Sequence, residues 1–172
     1  VSAVLLMWTY PGRVRVWQLA GVLCGLSLAV GYEALAPVLV IMASAGIWGL
    51  IDSQAAPAAR RLTQAFIATF AACFVLTISP DQWFAAKCDA ISLNLVALSS
   101  IAGSGLIVVL GRGQTWSLAL RLAVIAIAGA AGIAMYGALE PKCLAGPMGQ
   151  LPPELKGVWL NYVAEARSIA RD

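Results

Sequence analysis

The chain has 172 residues, of which 61% are hydrophobic and 11% are charged, and its formal net charge is +3. Soluble domains carry about a quarter of charged residues, so this composition excludes a soluble domain and indicates an integral membrane protein. The chain contains no histidine, the commonest general base and metal ligand, and no run of four basic residues that would favour a nucleic-acid partner.

Apolar runs divide the sequence into candidate spans. Residues 1–8 resemble the end of a span cut from its beginning, without the basic start or cleavage site of a signal peptide, so we expect an internal fragment of a longer protein. A spanning helix needs roughly 17–25 residues. Five runs approach or meet that length, the second being extended by the two residues before it: 16–33, 36–51, 62–79, 91–111 and 116–139.

The arginines mark one end of every run. They alternate with the runs as the positive-inside rule requires, whereas the intervening loops are mixed to acidic. We therefore predict cytoplasmic loops at 52–61 and 111–115 and periplasmic loops at 80–90 and 140–172. The arginines concerned are Arg13, Arg15, Arg60, Arg61, Arg112 and Arg121.

Tryptophans give an independent indication of the same two interfaces. Trp17, Trp48 and Trp116 fall at the predicted cytoplasmic edge, and Trp83 falls at the outer edge. Indoles concentrate at both membrane surfaces, so this placement is typical of an aromatic belt.

Small residues at four-residue spacing predict close helix packing. Gly21 and Gly25 form one such pair, and Ala128 and Gly132 form another. Packing within one bundle is the interpretation we favour over a dimer face. The serines and glycines at 99–105 leave either close packing or a substrate path open.

The last segment, 140–172, is the most polar. Its prolines and glycines predict an irregular start, and apolar residues at helical spacing after Glu154 predict an amphipathic helix at the membrane surface. The predicted fold is all-α: a polytopic bundle over 1–139, with about five spans and a partial N-terminal one, followed by a periplasmic loop and interfacial helix over 140–172.

Few residues in this chain are candidates for chemistry. Glu33, at the outer end of a span, is a candidate because carboxylates near hydrocarbon are costly; the alternative is a solvated boundary residue. Cys88 and Cys143 lie in different outer loops. In an oxidising periplasm they could form a disulfide, and otherwise they remain free thiols. Their spacing does not predict a zinc site.

Four stretches carry a resemblance to known proteins. They are Gly31-Tyr32-Glu33-Ala34-Leu35, Cys88-Asp89-Ala90-Ile91-Ser92, Cys143-Leu144-Ala145-Gly146-Pro147, and the segment from Trp159 to Ala166. Over residues 13–168 the chain resembles bacterial multispanning proteins that are similar to the GT-C class of membrane glycosyltransferases, which includes the catalytic subunit of oligosaccharyltransferases.

The resemblance implies a site on the outer face. Val163-Ala164-Glu165 looks like the Val-x-Glu motif of an oligosaccharyltransferase outer loop, which makes Glu165 a candidate ligand for a metal or for the acceptor, with Glu33 and Asp89 as further candidate carboxylates. Arg167-Ser168 stands where those relatives have Gln-Pro. Mg or Mn is the expected cofactor, because carboxylates suit these ions. The main catalytic acids of that class would lie before Val1.

The resemblance favours part of a glycosyltransferase of a bacterial inner membrane, moving sugar from a polyprenyl-phosphate donor in the bilayer to a periplasmic acceptor. Two alternatives remain: a transporter or lipid-linked-sugar flippase, with Glu33 and the 99–105 stretch along its path, and a non-catalytic membrane subunit.

Overall fold

A computed structural model describes residues 13–152, which are helical without strands. The partial span at 1–8 and the amphipathic helix after Glu154 lie outside these residues. Four helices are long and apolar enough to cross a membrane, and α1, at 17 residues, is a shorter apolar helix. The α-helices are α1 (Val14–Val30), α2 (Leu35–Ile51), α3 (Ala56–Thr77), α4 (Leu93–Arg112) and α5 (Leu118–Leu139).

The helix bounds differ from the apolar runs where charged residues interrupt the apolar run but the helix continues through them. α3 begins at Ala56, six positions before its apolar run, with Pro57 in its first turn. Proline suits this position because its missing N–H would have had no partner in the helix. The expectation that Arg60 and Arg61 lie in a loop is therefore wrong, since both belong to the second turn of α3. Directly before α2, Tyr32–Ala34 form a 3-10 turn. This turn extends the apolar helix to Tyr32–Ile51.

Successive helices run in opposite directions, so the loops gather at two ends. At one end Arg60 lies beside Gly111, and Arg121 donates to the Leu50 carbonyl. We call this the arginine end. At the other end Cys88 and Cys143 are joined, and we call it the disulfide end. The arrangement agrees with the alternation read from the sequence; which end faces the cytoplasm remains a prediction.

Helix α3 is the centre of the bundle and packs against α1, α2 and α4. Glycine makes the α1 crossing close. A Cβ on Gly21 would overlap the Leu62 carbonyl of α3, and one on Gly25 would lie 3.0 Å from the Phe66 carbonyl oxygen. The Gly21-x-x-x-Gly25 pair therefore packs within the chain, as we favoured. Side chains buried at this centre include Trp17, Ala20, Cys24, Leu28, Ala59, Leu62, Phe66 and Phe70.

Helix α5 packs chiefly along α4. Gly105 of α4 faces Ala128, and a Cβ on Gly132 would lie 3.0 Å from the Leu98 side chain. Only Gly132 and Tyr136 of α5 are fully buried. Apart from half-buried Arg121, its other residues are almost all apolar and either half-buried or exposed, as expected of a helix that faces lipid on most sides.

The serine-glycine stretch of α4 is used for packing and for internal hydrogen bonds. A Cβ on Gly103 would meet Ile67 and Thr63 of α3. The hydroxyls of Ser99 and Ser104 donate to carbonyls four residues earlier in α4, at 2.8 and 2.6 Å. These contacts are of the close-packing kind.

Candidate functional site at the disulfide end

A disulfide joins the loop before α4 to the segment after α5. The Cα atoms of Cys88 and Cys143 lie 4.9 Å apart, inside the limit of about 7 Å for a bridge. The two residues are 1% and 2% exposed. The disulfide between Cys88 and Cys143, which the sequence left open, is therefore present as a buried bridge.

Two buried polar residues support the bridge from α4. The Ser92 hydroxyl donates to the Lys87 carbonyl at 2.8 Å and also contacts the side-chain oxygen of Asn94. Asn94, which is fully buried, donates from Nδ2 to the same carbonyl at 3.3 Å and contacts the Cys143 sulfur at 3.5 Å. A buried amide without partners costs about 1–3 kcal/mol, so these contacts fix the loop to the start of α4.

Gln150 makes a second link across the same loops. Its Nε2 donates to the Ala86 carbonyl at 2.8 Å and lies 3.4 Å from Oε2 of Glu140, whose Oε1 accepts the Lys142 backbone N–H. Gly149 passes so close to the Lys142 carbonyl that a Cβ would overlap it. Residues 85–94 and 140–150 therefore form one unit, which we call the outer cap.

The outer cap includes one of the candidate carboxylates. Asp89 is exposed and follows the bridged Cys88 directly. Glu33 is also exposed, but it lies in the short turn between α1 and α2, away from the loops of the cap along the chain. Glu165 lies outside the described residues, so its role stays a prediction.

Among residues 13–152 no three His, Cys, Asp or Glu side chains form a metal-binding group. The expected metal site depends on Glu165, which lies outside these residues.

Sequence reasoning missed Ser92, Asn94 and Gln150. A signal for one of them existed: Asn94 is a polar amide in the first turn of an otherwise apolar helix, and such a residue must find partners in the fold. Gln150 had no such signal, because its partners belong to a loop 64 residues away.

At the arginine end, the side chain of Arg121 links the end of α2 to the turn between α4 and α5. Arg121 donates from Nε to the Trp116 carbonyl at 3.1 Å and from its terminal nitrogens to the carbonyls of Leu50 and Gln114. Trp17 and Trp48 meet beside this end, edge to face, with ring centroids 5.5 Å apart. Trp83 lies towards the disulfide end and donates to the Ile78 carbonyl.

Comparison with protein families, with curated proteins and with solved structures gives no significant match to this chain.

Proposed function

We propose that this chain is part of a GT-C-like glycosyltransferase of a bacterial inner membrane, which moves a sugar from a polyprenyl-phosphate donor to a periplasmic acceptor. One observation carries the proposal. The disulfide links the stretches 88–92 and 143–147, two of the four that carry the resemblance to this class. Stretches 55 residues apart in the chain therefore lie together at one end of the bundle, which supports the proposal.

The position of Asp89 suits a lipid-borne donor. Its carboxylate is exposed on the outer cap, next to the ends of apolar helices. A carboxylate repels a phosphate unless a cation lies between them, which is why the proposal includes Mg or Mn. When bound, the ion would neutralise the leaving phosphate, and Asp89 and Glu165 are its proposed ligands.

The test is sugar transfer by the purified longer protein that contains this chain, in proteoliposomes with polyprenyl-phosphate sugars. Losing one preorganised electrostatic contact costs about 10²–10³ in rate, so Asp89→Asn and Glu165→Gln should each reduce transfer by that order. The matched controls are Asp81→Asn, whose carboxylate accepts from Ser79 outside the resembling stretches, and Glu154→Gln. Equal transfer by the Asp89 and Asp81 variants would remove Asp89 from the site. No transfer by the longer protein with any polyprenyl-phosphate sugar would overturn the proposal.

A second candidate function is a non-catalytic membrane subunit. It is favoured by the outer cap itself, whose polar side chains Ser92, Asn94 and Gln150 are occupied by internal contacts, while Phe84 and Leu144 are 85% and 62% exposed. Replacing both apolar residues by serine should then convert a larger native complex into the free chain on a sizing column. Under the enzyme proposal Phe84→Ser, which lies outside the resembling stretches, should leave sugar transfer by the longer protein unchanged.

A further inference from the structure

The guanidinium group of Arg60 in α3 lies over the α4 backbone, one residue before Arg112. A Cβ placed on Gly111 would lie 2.9 Å from Cζ and 3.0 Å from Nη1 of Arg60. Because glycine lacks that atom, the guanidinium of Arg60 can lie directly over the α4 backbone. The next residue, Arg112, is the last of α4, and both arginines are exposed.

Within residues 13–152 no carboxylate pairs with either arginine. Among residues 13–152 the only carboxylate at the arginine end is Asp52, and its Oδ1 accepts the Gln54 backbone N–H at 2.8 Å. The side chains of Arg60 and Arg112 make no hydrogen bond or ion pair within the described part of the chain. An anion bound where Arg60 passes the end of α4 would therefore be attracted by the positive charges of Arg60 and Arg112.

The site lies at the edge of the apolar surface. Val108, one turn before Arg112, is 42% exposed, and Trp116, an indole of the predicted interfacial belt, packs on Gly113 just beyond it. An exposed apolar side chain below exposed cationic side chains suits a phospholipid. Its acyl chains would lie beside Val108, and its phosphate would lie at the level of the arginines.

We propose that Arg60 and Arg112 bind the phosphate of an anionic phospholipid from the leaflet at the arginine end. Guanidinium groups bind phosphate oxygens through paired N–H donors, and Gly111 gives Arg60 the room to present them. A soluble phosphate offers the same oxygens. The lipid is the assigned occupant because Arg112 lies one turn beyond the exposed Val108 and close to the interfacial Trp116.

Lipid binding by the full chain can be measured by native mass spectrometry with equal amounts of phosphatidylglycerol and phosphatidylcholine. The parent protein should retain phosphatidylglycerol preferentially. Each substitution removes charge-assisted hydrogen bonds to the lipid phosphate, so Arg60→Gln and Arg112→Gln should each lower this preference at least about fivefold. The matched control is Arg61→Gln, since Arg61 is also exposed but is turned about 100° around the axis of α3. It should leave the preference unchanged.

Other outcomes would overturn the assignment. Equal retention of both lipids by the parent protein would remove the site, and an equal loss in Arg61→Gln would reduce it to general surface charge. Displacement of the lipid by an equal concentration of inorganic phosphate would make a soluble anion the occupant.

A second measurement separates lipid binding from a purely structural role. If Arg60 only compensates the carbonyls at the end of α4, Arg60→Gln should lower the unfolding midpoint equally in nanodiscs of either lipid. The proposal expects the larger drop in phosphatidylglycerol, and Arg112→Gln repeats the measurement at the exposed end of the helix.

Discussion

Gly21 lies where α1 crosses α3, and the backbone carbonyl of Leu62 occupies the space that a side chain at this position would need. Gly21→Ala would place a methyl group onto that backbone oxygen, which no side-chain rotation can relieve. Overpacking of this kind typically costs about 1–3 kcal/mol, so we expect a lower free energy of unfolding by that amount. Thermal or detergent-induced unfolding of the purified protein, followed by circular dichroism, measures it.

Gly129 provides the control at the same scale. A Cβ there meets no atom within 4 Å, so Gly129→Ala should be neutral or should stabilise α5 by up to about 1 kcal/mol through helix propensity. Equal losses in the two variants would mean that the Gly21 crossing is not tight.

Two glycines and one arginine show what the sequence could and could not predict at the scale of single residues. The small-residue spacing at Gly21 and Gly25 predicted close packing because that spacing repeats on one helix face. Arg121 was interpreted only through its charge, yet its side chain also donates to three backbone carbonyls. Those acceptors belong to two separate turns, and no local pattern brings turns together.

At the scale of elements, bilayer thickness made the helices predictable. A span must satisfy its own backbone hydrogen bonds over a fixed length, so apolar runs gave the number and order of α1–α5. Their starts were less predictable. The α3 run begins at Leu62, after the arginines, whereas the helix begins at Ala56, because a charged side chain interrupts hydropathy without breaking helical hydrogen bonding.

The disulfide links two elements, the loop before α4 and the segment after α5, and its removal should loosen both. For a separation of 55 residues, loop-closure entropy gives a stabilisation of at most about 4 kcal/mol, less where the membrane already restricts the unfolded chain. We expect the double variant, Cys88→Ala with Cys143→Ala, to have a lower unfolding midpoint. We also expect faster hydrogen exchange at the side-chain amide of Asn94.

The thiol Cys73 serves as the control for that loss. It is free and half-buried in α3, so Cys73→Ala should shift the midpoint much less. A double variant no less stable than this control would contradict a stabilising role for the bridge.

The whole molecule has two chemically different ends, and their assignment to the two sides of the membrane is the last prediction. Among residues 13–152 the arginine end has six arginines and one aspartate, whereas the disulfide end has four carboxylates and two lysines. A basic loop is retained in the cytoplasm, and a disulfide persists in an oxidising compartment, so both features favour the same orientation. With Cys24 and Cys73 replaced by alanine, a cysteine at exposed Ser53 should react with a membrane-impermeant thiol reagent only after the cells are opened. A cysteine at exposed Asp81 should react in intact cells. The reverse pattern would place the arginine end outside, and the outer cap would then face a reducing cytoplasm in which its bridge is not expected to persist.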